Sequence, residues 1–279
     1  MTDRNPVLPW HSWLIGLSAL LTIALLWTGT SVVPDQFLMA VPALRHLPQL
    51  ETPFLYALLL GFTLFFPLVR SFEPRLAYFR KWRYLWPGNL AIGLVFIAWD
   101  AWFTRVGVWG FNDTYLTGAR LWGLPWEEWM FFAIVPFSCV FIFEAHNYYV
   151  RREWPAWLTR ALTATLAMVF LVVGIAYWQH LYTATTFLLC FFFQLFLLLF
   201  PRNLPIGRFY AAYLLSLLPF LLVNGALTGA FTEEPVVFYN PDEYLGIRIL
   251  TIPLDDAVYG YLLLMSNYYW YAWRKTNQR

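Results

Sequence analysis

Two acidic pairs stand in a chain that is mostly hydrocarbon. "LPWEEWMFF" (124–132) sets Glu127 and Glu128 in front of an aromatic run, and "IPLDDAVYG" (252–260) sets Asp255 and Asp256 in an equivalent place. Neighbouring positions on a helix are about 100° apart and do not face each other. One member of each pair can therefore point into a helix bundle while the other turns to the preceding loop, where Arg120 or Arg248 is the candidate partner with a positioning role. Burial favours the protonated form of a carboxyl, and a nearby arginine favours the ionised form. A pair split in this way can hold both a proton donor and a proton acceptor, the apparatus of general acid–base chemistry. Pro125 and Pro253 offer a purely structural alternative: proline suits a helix start, and an acid just beyond it meets free N–H groups and the positive dipole end. For any single acid the two readings weigh about equally, but a helix start does not require an acidic pair twice.

The pairs belong to an internal repeat. Shifting "FNDTYLTGARLWGLPWEEWMFF" (111–132) by 128 residues lays it without a gap on "YNPDEYLGIRILTIPLDDAVYG" (239–260). Asn112 then falls on Asn240, Gly118 on Gly246, Arg120 on Arg248, Pro125 on Pro253, Glu127 on Asp255, Glu128 on Asp256 and Phe131 on Tyr259. Upstream, "DAWFT" (100–104) resembles "NGALT" (224–228) if the second loop is four residues longer, which pairs Asp100 with Asn224.

The elements that must position these groups are membrane helices. The 279 residues are 60% hydrophobic and 12% charged, with a mean hydropathy of +0.55, outside the range of soluble domains. Apolar stretches of spanning length lie near 12–29, 53–69, 88–106, 125–149, 157–178, 184–200, 208–228 and 248–272, so an all-α integral membrane protein of about eight transmembrane helices is expected. With the N-terminus inside, fourteen of the 18 basic residues fall on the inner side and four (Arg45, Arg105, Arg120 and Arg248) on the outer. That bias places both termini in the cytoplasm of a cell (inner) membrane protein. The expected units are an N-terminal helix and outer loop (1–50), a first three-helix repeat (51–149), a linker helix (150–183) and a second repeat with its tail (184–279). Three crossings invert a copy and the linker helix restores it, so the two repeats should run parallel about an axis along the membrane normal, bringing the four acids to one depth.

A charged carboxylate inside hydrocarbon costs roughly 2.5 to 3.5 kcal/mol even on lenient scales, so four acids at that level need a reason. Asp100 and Asn224, near the outer ends of matching helices, either hydrogen-bond an acid or join helices, at equal weight. Asn112 and Asn240 precede a turn, which favours a turn role over substrate contact. Glu144 lies about 25 Å along the helix from Glu127 and belongs to the inner surface. Trp109, Trp126, Phe131, Phe132, Tyr239 and Tyr259 offer ring faces to a cation, although ordinary packing outweighs that for any one of them in so aromatic a chain.

"SFEPRLAYFRKW" (71–82), "GVWGFN" (107–112), "LPWEEWMFF", "PFSCVFIFE" (136–144) and "YNPDEYLGIRILTIPLDD" (239–256) together resemble the membrane lycopene cyclase domain family, in its tandem-fused form, over about 200 residues. Repeat two carries Asp255 and Asp256 where the resemblance leads one to expect Glu at one or both. The resemblance implies a carotenoid biosynthesis isomerase: proton-initiated cyclisation of the acyclic ends of lycopene to ionone rings, β as the expected product, without net redox change. A general acid protonates C2, the C1 cation is attacked by the C5=C6 bond, and the C5 cation loses a proton. Glu127, Glu128, Asp255 and Asp256 become the catalytic candidates. Asp100, Asn224, Asn112, Asn240, Trp109, Phe131, Tyr239 and Tyr259 become candidates for substrate contact.

Other classes lose ground. The only lysines, Lys81 and Lys275, lie at membrane edges, which removes a retinal Schiff base. No Asp-rich diphosphate motif and no GxGxxG occurs, so neither a prenyltransferase nor a flavin-dependent cyclase is indicated. Cys139, Cys190, His146 and His180 have no metal-ligand spacing, and no cofactor is expected. The partners implied are a lipophilic carotenoid and membrane lipid, without nucleic acid; a homo-oligomer is compatible with the sequence. A carotenoid hydratase and a small-molecule transporter stay open as alternatives.

Overall fold

The computed structural model describes residues 43–150, 152–200 and 204–277. The expected helix at 12–29, with most of the 1–50 unit, lies outside the described residues. Seven α-helices follow: α1 (Leu55–Arg70), α2 (Trp82–Val106), α3 (Trp126–Tyr149), α4 (Ala156–Ala176), α5 (Leu181–Leu199), α6 (Ile206–Leu227) and α7 (Leu254–Asn277). Proline immediately precedes α3, α4, α6 and α7 (Pro125, Pro155, Pro205 and Pro253), where its fixed φ suits entry and its missing N–H costs nothing. The two largest differences from the hydropathy reading are at helix starts. α2 starts earlier because a helix can continue into water, and α7 starts later because residues 248–253 form a hairpin.

Among the described residues, five helices are long and apolar enough to cross a membrane: α2 with the short turn before it (Tyr78–Val106), α3, α4, α5 and α6. Such helices mark a membrane protein; the remaining three of the eight expected spans are α1, α7 and the stretch 12–29, which lies outside the described residues. α1 is apolar and only 16 residues long. α7 has 24 residues but is rich in tyrosine and carries Asp255, Asp256 and Asn267, all buried. It packs on α2, α3, α5 and α6, and a helix shielded in this way does not need uniform apolarity.

α3 and α7 form the inner pair; α3 also packs on α1, α2 and α6, whereas α4 lies outside, mainly against α5. On the inner side the chain's two lysines close on one buried carboxylate, Lys81 Nζ and Lys275 Nζ each 2.5 Å from Glu144. Glu144 thus joins the start of α2 to the end of α7, far from the acidic pairs.

The outer loops are ordered by three small strand pairs. β1 (Trp109–Phe111) and β4 (Val237–Tyr239) run antiparallel with Trp109 opposite Tyr239, Gly110 opposite Phe238 and Phe111 opposite Val237. In the register of 128 residues this pairing is reciprocal, because Trp109 corresponds to Val237 and Phe111 to Tyr239. The bonds Asn112 N–H to Val236 O (2.9 Å) and Asn240 N–H to Val108 O (2.8 Å) extend the same reciprocity. A Cβ at Gly110 would lie 2.4 Å from the Phe238 ring, so this crossing point needs glycine.

Each repeat then makes a two-residue hairpin, β2 (Arg120–Leu121) with β3 (Leu124–Pro125) and β5 (Arg248–Ile249) with β6 (Ile252–Pro253). The turns place Trp122 (φ 54°) and Leu250 (φ 60°) in the left-handed region, as tight hairpins demand. Trp126 N–H to Ala119 O (3.0 Å) and Leu254 N–H to Ile247 O (2.9 Å) fasten each hairpin to the helix it precedes.

Candidate active site

The helix starts split each acidic pair in the same way. Glu127 Oε1 accepts from the Thr117 N–H (2.9 Å) and hydroxyl (2.7 Å). Its counterpart Asp255 accepts from the Leu245 N–H (3.2 Å) and the Thr183 hydroxyl (2.5 Å); Leu245 is the Thr117 position of repeat two. Both carboxylates are fully buried, and neither reaches the cavity described below. They tie the outer loop to the helix.

The loop partner is a peptide N–H, joined by a hydroxyl from the loop (Thr117) or from α5 (Thr183), and not the arginine expected. Arg120 donates to Gly123 O (2.9 Å) and pairs with Asp113 (2.6 Å), while Arg248 donates to the Thr251 carbonyl and to the Tyr244 hydroxyl (3.1 Å). The hairpin turns both guanidinium groups back on itself, where they close the turn. Asn112 and Asn240 also stay in the loops: each side-chain oxygen accepts an N–H two residues on, from Thr114 and Asp242 respectively (3.0 Å each). Trp126 is held outside as well, its indole N–H on the Thr117 hydroxyl (2.5 Å).

Glu128 and Asp256, one residue on, turn inward and line one cavity of about 460 Å³. Tyr56 donates to Glu128 Oε2 at 2.5 Å, and the Oε1 of Glu128 has no hydrogen-bond partner among the described residues. Asp256 is held by three donors: Tyr182 on Oδ1 (2.7 Å), and Tyr239 (2.7 Å) and Asn224 (2.8 Å) on Oδ2. Asp100 completes the polar end. Its Oδ1 accepts the Trp109 indole N–H (2.5 Å), and its buried Oδ2 has no partner among the described residues. Burial, and then the Asp256 carboxyl, hold the Tyr239 phenol well above its usual range, so it stays a donor.

The aromatic rings at this end converge. Trp109 stands 4.9 Å from Tyr182, 5.9 Å from Tyr259 and 6.3 Å from Tyr239, centroid to centroid, and Tyr182 stacks on Tyr239 at 6.2 Å. Such a cluster can stabilise a cation against ring faces. Away from the acids the cavity is apolar, with Phe131 and Val135 on α3, Phe220 on α6 and Leu263 on α7 among its walls. Phe62, Phe65 and Phe66 of α1 line it and are also exposed on the protein surface. The cavity therefore opens sideways, along the apolar part of the helices, with its polar groups near the outer end.

Asp100, Asn224, Trp109, Phe131, Tyr239 and Tyr259, all singled out in the sequence, meet at this cavity with Glu128 and Asp256. Tyr56 and Tyr182, which carry a hydrogen bond to each inward acid, were not singled out. A signal existed: Leu55-Tyr56 and Leu181-Tyr182 open the first helix of each repeat, 126 residues apart. Thr117 and Thr183 had no such signal, since the sequence shows nothing of which loop atom meets a carboxylate.

A family model described as lycopene cyclase matches the chain twice, over residues 53–146 and 179–274. No curated protein and no solved structure matches it. The two matched segments hold the two acidic pairs and the helices that position them. On the strength of these matches, which cover most of its length, the chain belongs to the lycopene cyclase family.

Proposed function

We propose that this protein is a membrane isomerase that cyclises the acyclic ends of lycopene to β-ionone rings, with Glu128 as proton donor and Asp256 as the opposing carboxylate. The observation that carries the reading is one apolar cavity, open towards lipid, whose outer end holds a carboxyl from each repeat and a cluster of aromatic rings. A lipid-soluble polyene has its route in from the side, and the reacting carbons have an acid where they stop.

The roles follow from hydrogen bonding. Three donors are turned on Asp256, which suits a carboxylate that receives a proton. Glu128 keeps Oε1 for one. Transfer of that proton to C2 of the end group generates the C1 cation, the C5=C6 electrons close the ring, and loss of the C6 proton from the C5 cation gives the β ring. Passage of the released proton by way of Asp256 back to Glu128 restores the enzyme, so no reductant or oxidant is consumed. Trp109, Tyr182 and Tyr259 face the cationic stages. Glu127 and Asp255 act at one remove, by fixing the helix starts.

The reciprocal β1–β4 pairing supports two parallel repeats about a local two-fold axis, since only such an axis offers the same positions on both partners. We take the units as 51–149 and 184–279 joined by 150–183, with the start of the second moved back to Leu181 where α5 begins, with eight crossings when α1, α7 and the stretch 12–29 are included, and with both termini on the cytoplasmic side of the cell membrane. The cyclase reading is tested by chromatography of pigments from lycopene-accumulating cells expressing the protein. Cyclic carotenoid is expected, and its loss with Glu128→Gln; lycopene left unchanged by an inserted, folded wild-type protein overturns the reading.

A further inference from the structure

The repeats are alike at their outer frames but differ in size on the two sides of the α3–α7 pair. When Asp100 is aligned with Asn224, Trp99 and Phe103 of α2 correspond to Val223 and Leu227 of α6; on the third helices Phe132 corresponds to Gly260. At all three positions repeat one has a large ring in the place of a smaller residue. Val223, Leu227 and Gly260 line the cavity. A Cβ added at Gly260 would meet nothing within 4 Å, so the space beside it is open.

The corresponding space on the other side is filled. Trp99, Phe103 and Phe132 are 2%, 0% and 2% exposed, although Phe132 also reaches the cavity wall. Trp99 lies 5.6 Å from Phe103 and 5.0 Å from Tyr259, and Phe96 bridges Trp99 (5.6 Å) and Phe132 (6.1 Å). Close packing of α2 on α7 continues inward, where a Cβ at Gly88 would lie 2.0 Å from the Trp270 ring.

We propose that Val223, Leu227 and Gly260 are the specificity-determining residues that leave a single working cavity in a two-fold frame, so that one carotenoid end is held and cyclised at a time while the other end stays in lipid. This rests on the cyclase reading. Along α3 the cavity runs from Glu128 to Ile142, about 21 Å at the helical rise, too short to enclose both ends of the chain. A product with two rings then requires release of the monocyclic carotenoid, reversal, and a second visit.

The test uses the full-length protein in lipid vesicles with lycopene as substrate. Gly260→Phe and, independently, Val223→Trp copy the filled side. Each should lower cyclisation more than tenfold, while the protein still inserts and gives a cooperative thermal transition, because both side chains enter the cavity. Wild-type protein given labelled lycopene and then chased early with excess unlabelled lycopene should leave label in the monocyclic product. Undiminished cyclisation by both filled variants overturns the proposal, as does label that runs through to two rings despite the chase. Either result leaves the cyclase reading intact, whereas a wild type that forms no ring at all overturns both.

Discussion

The two halves of the molecule share a frame and differ in what they enclose. From the asparagine turn through the hairpin to the acidic pair, repeat two reproduces the backbone contacts of repeat one. Asn112 and Asn240 make the same turn, Gly118 and Gly246 take the same positive φ, and Thr117 and Leu245 send the same N–H to the first acid. The second acid of each pair receives a tyrosine from the first helix, Tyr56 or Tyr182. The halves diverge beyond that point. Asp256 is held by two further donors and Glu128 by none. A duplicated scaffold can place two carboxyls symmetrically at one site, and side-chain changes of this kind can then give them unequal work.

The largest expected effect comes from exchanging the two inward acids for amides. Glu128→Gln removes the donor and should lower the cyclisation rate by about a hundredfold or more, the scale of lost general acid–base catalysis. Asp256→Asn should fall less far, because the tyrosines and Asn224 remain to order the site. Equal losses would make the two carboxyls interchangeable and remove the asymmetry of roles. Rates in vesicles, normalised to inserted protein, decide this.

Next in size is the hydrogen-bond difference. Tyr239→Phe removes one of three donors to Asp256 and should cost about 1 kcal/mol of transition-state stabilisation, a several-fold rate loss. Tyr56→Phe leaves Glu128 without its one donor and should shift the pH–rate profile more than Tyr239→Phe does.

The outward acids should respond in stability before rate. Glu127→Gln and Asp255→Asn each weaken buried hydrogen bonds, about 1 to 3 kcal/mol, and both should lower the thermal midpoint, since each loses a loop N–H and a threonine hydroxyl. The smallest effect lies at the edge of the frame. Burial works against the Glu51 carboxylate, but hydrogen bonds from Tyr115, the Glu233 N–H and His46 outweigh it and hold its pKa below the usual 4.5. A lowered folded-state value adds stability above the unfolded pKa that is lost as pH falls through the folded one. The stability difference between wild type and Glu51→Gln, present near neutral pH, should therefore disappear on acidification below about 4.5.

Much of this was legible in the sequence because repetition and hydropathy are one-dimensional signals. The 128-residue register located both acidic pairs, and the apolar stretches located the seven described helices. Length and apolarity alone do not mark α1 and α7 as crossings: α7 is tyrosine-rich and buried, α1 short. The division of each pair was foreseen, but its partners were not. Arg120 and Arg248 were the nearest cations in sequence, yet a two-residue hairpin turns them onto its own carbonyls, and Thr117, Thr183 and the Leu245 N–H take the carboxylates instead. The hollow beside Val223, Leu227 and Gly260 shows only when two helices are laid against a third.

The central claim is that Glu128, not its neighbour, delivers the proton. Chromatography of lycopene incubated with Glu128→Gln and Glu127→Gln proteins, each shown to be inserted and folded, tests it most directly. The account predicts unchanged lycopene with the first and cyclic carotenoid with the second; cyclic product at the wild-type rate from Glu128→Gln would contradict it.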